Sequence, residues 1–229
     1  MKNQAAQHTD NETRRRLLEA GLKLFGLHGF EATSTRSLAL EAGANLSAIP
    51  YHFGGKEGLY LAVIRHIMDL KLAEIGPSLD RVMALSADPA TGREVLLSAM
   101  RRLVLTVAGA MLGSQESRSC SQVMMQEQIA PTAGFKILHQ EFFGRIHAAW
   151  SALLARLTGL PPGSMELRLR ALSIMGQMII FRVGMSSLLT VLNCERLPDA
   201  YLEGIAQVCV QQAEAMVASF APACPEVAA

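Results

Sequence analysis

Apolar residues recur along this chain at spacings of three and four, the period of helices with one buried face. Leu17, Leu18, Gly21, Leu24, Phe25 and His28 fall together on one face of the first such stretch. Ahead of it, Thr9 to Glu12 reads T-x-x-E, in which a threonine caps a helix start and the glutamate three residues on reaches back to it. A first helix of roughly 16 to 18 residues is predicted to follow, closed by Gly29 as a left-handed stop with apolar Phe30 behind it.

Ser34 is placed to cap a short second helix from Thr35 to Ala42 that buries Leu38, Ala39 and Ala42, and Gly43 supplies the backbone freedom of a tight turn. Asn45 is placed to cap a third helix. Two short helices joined by a glycine-bearing turn form the helix-turn-helix arrangement, in which the first helix braces and the second enters the major groove. From Lys56 a new stripe, Leu59, Val63, Ile67 and Leu70, runs without a linker into the remainder. Pro77, Pro89, Pro131, Pro161, Pro162 and Pro198 are expected to cut that body into helices near 91–112, 117–129, 131–158, 164–192 and 199–219. The predicted division is a DNA-binding domain over 9–56 and a regulatory and dimerisation domain over 57–221, all α.

Composition agrees with helices. Aromatics make up 5% of the 229 residues and charged residues 18%, so β-sandwiches of aromatic and β-branched strands are disfavoured. The longest run without charge, Leu103 to Gln115, is too short for the roughly 18 to 20 apolar residues of a membrane span. The polar N-terminus has no secretory core, which predicts a cytoplasmic protein with reduced thiols. Cys120, Cys194, Cys209 and Cys224 are scattered without ligand spacing, so neither a metal nor any other cofactor is expected, and they read as small buried hydrophobes.

The segment from Thr13 to Val63, TRRRLLEAGLKLFGLHGFEATSTRSLALEAGANLSAIPYHFGGKEGLYLAV, resembles the DNA-binding domain of the TetR family of transcriptional regulators. It carries the glycine-aromatic corner, the A-G turn, the Y-H-F end of the reading helix and the K-E start of the connecting helix. AGANLSAIPYHFGGKEGLYLAV, with QEQIAPTAGF and GQMIIFR further on, is similar to the branch of CecR-type regulators. That resemblance implies drug-export or stress genes as targets, a homodimer built on the last two long helices, and a small-molecule effector bound in the body.

Residues 1–60 hold seven Lys and Arg against six Asp and Glu, so DNA contact depends on placement and not on a broad basic face. Ser34, Thr35, Arg36 and Lys56 lie at helix starts where side chains and amides meet phosphates, with Arg14 to Arg16 alongside. Asn45, Leu46, Ser47 and Ala48 lead the reading helix toward base edges, and Tyr51 and His52 follow toward the backbone. Phe53 reads as a hydrophobic plug. The family pattern often has an aromatic where this chain has Pro50. Either the proline tightens the short helix toward 3₁₀ geometry and presents an apolar ring to a thymine methyl or sugar edge, or it only ends a surface turn. So short a surface discriminates well only in pairs one DNA turn apart, which predicts a dimer on a palindrome. The apolar helices from Leu167 to Leu192 and Tyr201 to Phe220 are the expected pairing surface.

Ten of the twelve methionines lie from Met83 onward. Met100, Met124, Met125 and Met178 accompany Phe135, Phe142, Trp150 and Phe181, a set that serves equally as core or as an adaptable apolar pocket; the family resemblance favours the pocket. Gln128, His139, Gln177 and Arg182 are polar among apolar neighbours and need partners; for Gln177 and Arg182 these are each other's neighbours, Glu127 or Glu141, or a bound molecule. The function predicted is a ligand-responsive repressor, released from double-stranded DNA by a small apolar or amphipathic molecule. The alternative is a helix-turn-helix protein for DNA organisation or protein interaction that senses nothing small. No motif for a nucleophile, a catalytic metal or a phosphate cradle occurs, and an enzyme is not expected.

Overall fold

A computed structural model describes residues 2–112 and 115–220, with side chains from 10–112, 118–198 and 200–220. Among the described residues every regular element is helical: α1 (Lys2–Ala32), α2 (Thr35–Glu41), α3 (Ala48–Phe53), α4 (Lys56–Ala87), α5 (Arg93–Leu112), α6 (Gln115–Ile129), α7 (Ala133–Leu138), a π-helical turn (His139–Phe143), α8 (Gly144–Thr158), α9 (Met165–Val183), α10 (Met185–Val191) and α11 (Asp199–Ala218). By packing, the chain forms two units, one of residues 1–71 with 114–142 and one of 72–113 with 143–229. These units follow contact and not the chain order, so α6 and α7 belong with the N-terminal helices. The functional boundary between residues 56 and 57 is a separate proposal.

In the first unit, α1 is the central element, lying against α2, α3 and α6. Its inner face is the one its periodicity predicts: Leu17, Leu18, Gly21, Leu24 and Phe25 are buried, while His28 is exposed, one turn too far toward solvent. Gly21 is required by close approach, since a Cβ there would come within 2.8 Å of Val63 Cγ2. The expected start at Thr9 is corrected: α1 is already helical at Lys2, because residues 2–8 contain no Gly, Pro or β-branched residue to oppose it. The Thr9 side chain lies outside the described residues. At the other end Gly29, at φ 76° and ψ 175°, breaks the helix in a region of backbone space open essentially to glycine, so the glycine stop stands but its geometry is extended. Thr33 then folds back, its hydroxyl donating to Gly29 O at 2.7 Å and Leu24 O at 3.3 Å.

In the second unit, α5 packs against α8, α9 and α11, and α8 against α9. By length and composition α5 is apolar enough to cross a bilayer. Its apolar face, including Leu96, Met100, Leu103, Val104 and Val107, is instead buried among its neighbours. Arg156 gathers the loop after α4, donating to the carbonyls of Ser86, Asp88, Pro89 and Thr91 at 2.8–3.3 Å.

Three expected boundaries are corrected. Pro77 does not cut α4; it and Ala73, whose carbonyl it cannot serve, both face solvent, where the unmade bond is least costly. The stretch 131–158 is interrupted by the π turn. The stretch 164–192 bends by 70° at Gly184, where a Cβ would lie 2.9 Å from Ile180 O and a side chain is excluded.

Candidate nucleic-acid interface

The candidate surface is built from two helices of seven and six residues, each too short to be stable by itself. Side-chain bonds to the backbone compensate. Ser34 and Ser37 form a reciprocal capping box at the start of α2: Ser34 Oγ accepts from Ser37 N at 3.0 Å, and Ser37 Oγ accepts from Ser34 N at 3.2 Å. Such a cap contributes about 1 kcal/mol. Leu38, Ala39 and Ala42 are buried beneath α2. Gly43, at φ 56°, makes the turn, and Arg16 donates to its carbonyl at 3.3 Å, fixing the turn to α1.

Asn45 was expected to cap α3. Its Oδ1 instead accepts from Ser47 N and Ser47 Oγ, both at 3.1 Å, closing an Asx turn, and Ser47 is the residue before the helix. Ala48 N then donates to Asn45 O at 2.9 Å and Ile49 N to Leu46 O at 3.4 Å, a tight three-residue pattern. Pro50 therefore removes nothing: it stands third in the helix, where amides have no intrahelical acceptor, and the Leu46 carbonyl it cannot serve is taken by Ile49. Tyr51 N to Ser47 O at 3.2 Å and Gly54 N to Pro50 O at 3.0 Å complete α3.

Burial separates the faces of this element. Ile49 is fully buried and holds α3 to its unit, while Leu46 is 52% and Tyr51 75% exposed. Ser34, Arg36, Asn45, Ser47 and Pro50 are exposed with them, and Thr35 and Ala48 are half-buried. His52 lies differently: its side chain is only 7% exposed, 3.6 Å from Asp10, so this rotamer forms no outward contact. Lys56 is half-buried; its amine lies 4.4 Å over the Phe30 ring and donates to Glu31 O at 3.3 Å. The arginine cluster is also engaged within the chain. Arg14 lies over Phe53 at 5.4 Å, Arg15 pairs with Glu12 and Glu19, and Arg16 holds the Gly43 turn.

The ligand candidates divide between the units. In the first, Phe142 is buried, Met124, Met125 and Phe135 are half-buried, and Gln128 and His139 are exposed, with His139 stacked on Phe135 at 5.7 Å. In the second, Met100, Trp150 and Met178 are buried and Phe181 and Arg182 half-buried. There Trp150 Nε1 and Gln177 Oε1 are buried without a hydrogen-bond partner among the described residues. Cys120 and Cys209 are buried, with burial raising the Cys209 thiol pKa, Cys194 is half-exposed, and Cys224 lies outside the described residues.

Sequence reasoning named Glu127 only as a partner for polar side chains of the body and missed Tyr60, with which it pairs. Glu127 is fully buried, and its carboxylate accepts from the Tyr60 hydroxyl, from Thr132 Oγ1 at 2.6 Å and from Thr132 N at 3.0 Å. Burial, then the bond to Glu127, pushes the Tyr60 pKa well above its ordinary value, so the phenol remains a donor. The signal available was the E-x-x-x-P-T spacing from Glu127 to Thr132, which alone does not name the partner.

Residues 96–220 match the family model of the C-terminal domain of the HTH-type transcriptional dual regulator CecR, and residues 17–63 match that of the bacterial regulatory proteins of the tetR family. The chain is 31% identical over 193 residues to the HTH-type transcriptional dual regulator CecR of Shigella flexneri, covering 82% of this chain and 84% of that protein. Among solved structures, a TetR-like transcriptional regulator from Rhodococcus sp. RHA1 is similar with a TM-score of 0.60 at 17% identity, covering 90% of this chain and 96% of that one. AibR, in complex with isovaleryl coenzyme A and operator DNA, is similar with a TM-score of 0.64 at 17% identity, covering 87% and 97%. The chain belongs to the TetR family of bacterial transcriptional regulators, with a C-terminal domain of the CecR type, and its family is one of DNA-binding regulators and not of enzymes.

Proposed function

We propose that the chain is a dimeric, ligand-responsive repressor that holds a palindromic operator and is released from it by a small apolar or amphipathic molecule, in control of an exporter or stress operon. The carrying observation is α3, where a fully buried Ile49 anchors a helix whose Leu46 and Tyr51 are left in solvent beside Asn45, Ser47 and Pro50. Exposed apolar and small polar side chains on a fixed short helix suit thymine methyls and base edges, and Ser34, Thr35 and Arg36 at its margins suit phosphates, which His52 and Lys56 reach only on leaving Asp10 and the Phe30–Glu31 corner. A second copy is supported by α9, where exposed Leu169, Leu172, Ile180 and Val183 follow a helical stripe. The protein works in the cytoplasm, without a membrane.

Response to a ligand is supported by the orphaned Trp150 Nε1 and Gln177 Oε1 among apolar side chains of the second unit, since buried polar atoms require partners. Release is then a coupling free energy: the effector favours a conformation in which two reading helices no longer match the half-site spacing. The test is footprinting of DNA upstream of the protein's own gene at two salt concentrations, followed by selection of bound genomic fragments. A protected palindrome at protein concentrations far below those for random DNA is expected, and no preference for any fragment refutes the reading. An effector that binds to saturation and leaves operator affinity unchanged refutes release alone. Pro50→Tyr is expected to change operator affinity or base preference; if it changes neither, the proline has no part in reading.

A further inference from the structure

The Glu127 cluster joins the segment matched to the C-terminal domain with the segment matched to the DNA-binding domain, inside one packing unit. On one side it closes the turn between α6 and α7. Thr132 donates twice to the carboxylate, and its hydroxyl accepts from Gly134 N at 3.1 Å to cap α7. Gly134 packs closely into the cluster: a Cβ would lie 3.1 Å from Ile64 Cγ1 and 3.2 Å from Glu127 Oε1, close enough to push either aside by a few tenths of an ångström. On the other side Tyr60 continues into the base of the helix-turn-helix. Its ring meets Phe25 edge-on at 4.9 Å and Phe30 at 4.9 Å, and the Phe30 ring carries the Lys56 amine that also holds Glu31 O. Thr33 and the α2 cap at Ser34 follow directly in the chain.

A carboxylate in this position is costly unless every lone pair is served, and an apolar side chain would fill the same space more cheaply. What the charge adds is direction. Three donors from two elements fix one geometry, and moving the α6–α7 turn away from α4 strands a buried charge, so the contact is made or broken with little between. We propose that Glu127 and Tyr60 are positioning residues for operator reading, the carboxylate on α6 setting, through the phenol, the seating of the α4 start and of the helix-turn-helix upon it. The inference rests on the proposed DNA-reading function and names the contact that regulates it.

The experiment compares Tyr60→Phe and Thr132→Val with Ile64→Val, which loosens the same core without touching the carboxylate, in operator affinity, melting temperature and amide hydrogen exchange over residues 54–60. Tyr60→Phe and Thr132→Val are each expected to weaken operator binding about tenfold, with Ile64→Val staying within about twofold of the parent. A folded Tyr60→Phe protein with parental affinity, or an equal loss in Ile64→Val, overturns the proposal. If the parent itself prefers no fragment, the DNA-reading function has failed and exchange decides the rest. Faster exchange over 54–60 in Tyr60→Phe than in Ile64→Val then supports the positioning role, and equal exchange overturns it.

Discussion

The two packing units differ in how they treat polar groups. In the first, short helices are held by directed bonds: the Ser34–Ser37 box, Arg16 on Gly43, Thr33 folded onto α1, and three donors on Glu127. In the second, Arg156 gathers one loop by directed bonds, but the long helices are held chiefly by apolar faces. Trp150 Nε1 and Gln177 Oε1 among them have no partner among the described residues, as Arg16 Nε alone among the side chains just named has none in the first. A surface that must present side chains at fixed positions needs closed polar geometry, whereas a body that adapts to a guest can leave polar atoms open.

The largest test of this contrast is Trp150→Ala, which empties the centre of the second unit. It is expected to lower stability by about 3–5 kcal/mol in urea denaturation followed by circular dichroism. Ser34→Ala, which removes the cap of α2 and little volume, is expected to cost about 1 kcal/mol in the same measurement. Equal losses would mean that packing dominates both units and would erase the distinction. Arg36→Ala, on the exposed face, is expected to leave the melting temperature unchanged and to reduce the slope of log affinity against log salt by about one. A slope unchanged from the parent places Arg36 off the phosphate backbone. The smallest effect belongs to Gln177→Met, which removes an orphaned acceptor while keeping length and is expected to shift stability by no more than about 0.5 kcal/mol. A loss several times larger would show that Oε1 is hydrogen-bonded after all, and the second unit would then be as closed as the first.

The same contrast explains what the sequence made legible. Periodicity identified the buried faces of α1, α2 and α4, because burial of Leu17, Phe25, Leu38, Leu59 and Val63 is a local consequence of spacing. Glycine and serine chemistry located the turn at Gly43 and the cap at Ser34. Contacts distant along the chain left no such trace. Lys56 was placed by its helix start near phosphate and Arg14 to Arg16 alongside, but spacing gave no sign that the Lys56 amine is held by Phe30 and Glu31 or that each arginine has an intramolecular partner. Tyr60 and Glu127 are sixty-seven positions apart, so their pairing appears only in three dimensions. The bend at Gly184 was missed because a lone glycine inside a helical pattern is as often tolerated as it is a break.

Pro50 has a consequence beyond the bonds it neither makes nor loses. Its ring restricts the backbone of the reading helix before that helix touches anything, and restricts it equally in the unfolded chain. Fewer conformations are then lost when these six residues are ordered as α3 on folding, so part of the stability of the helix arises from what the unfolded segment is prevented from doing. Replacing the ring by an ordinary side chain at this third position would restore that freedom, at a cost of about 0.4–1 kcal/mol of folding stability, without removing a hydrogen bond within the chain.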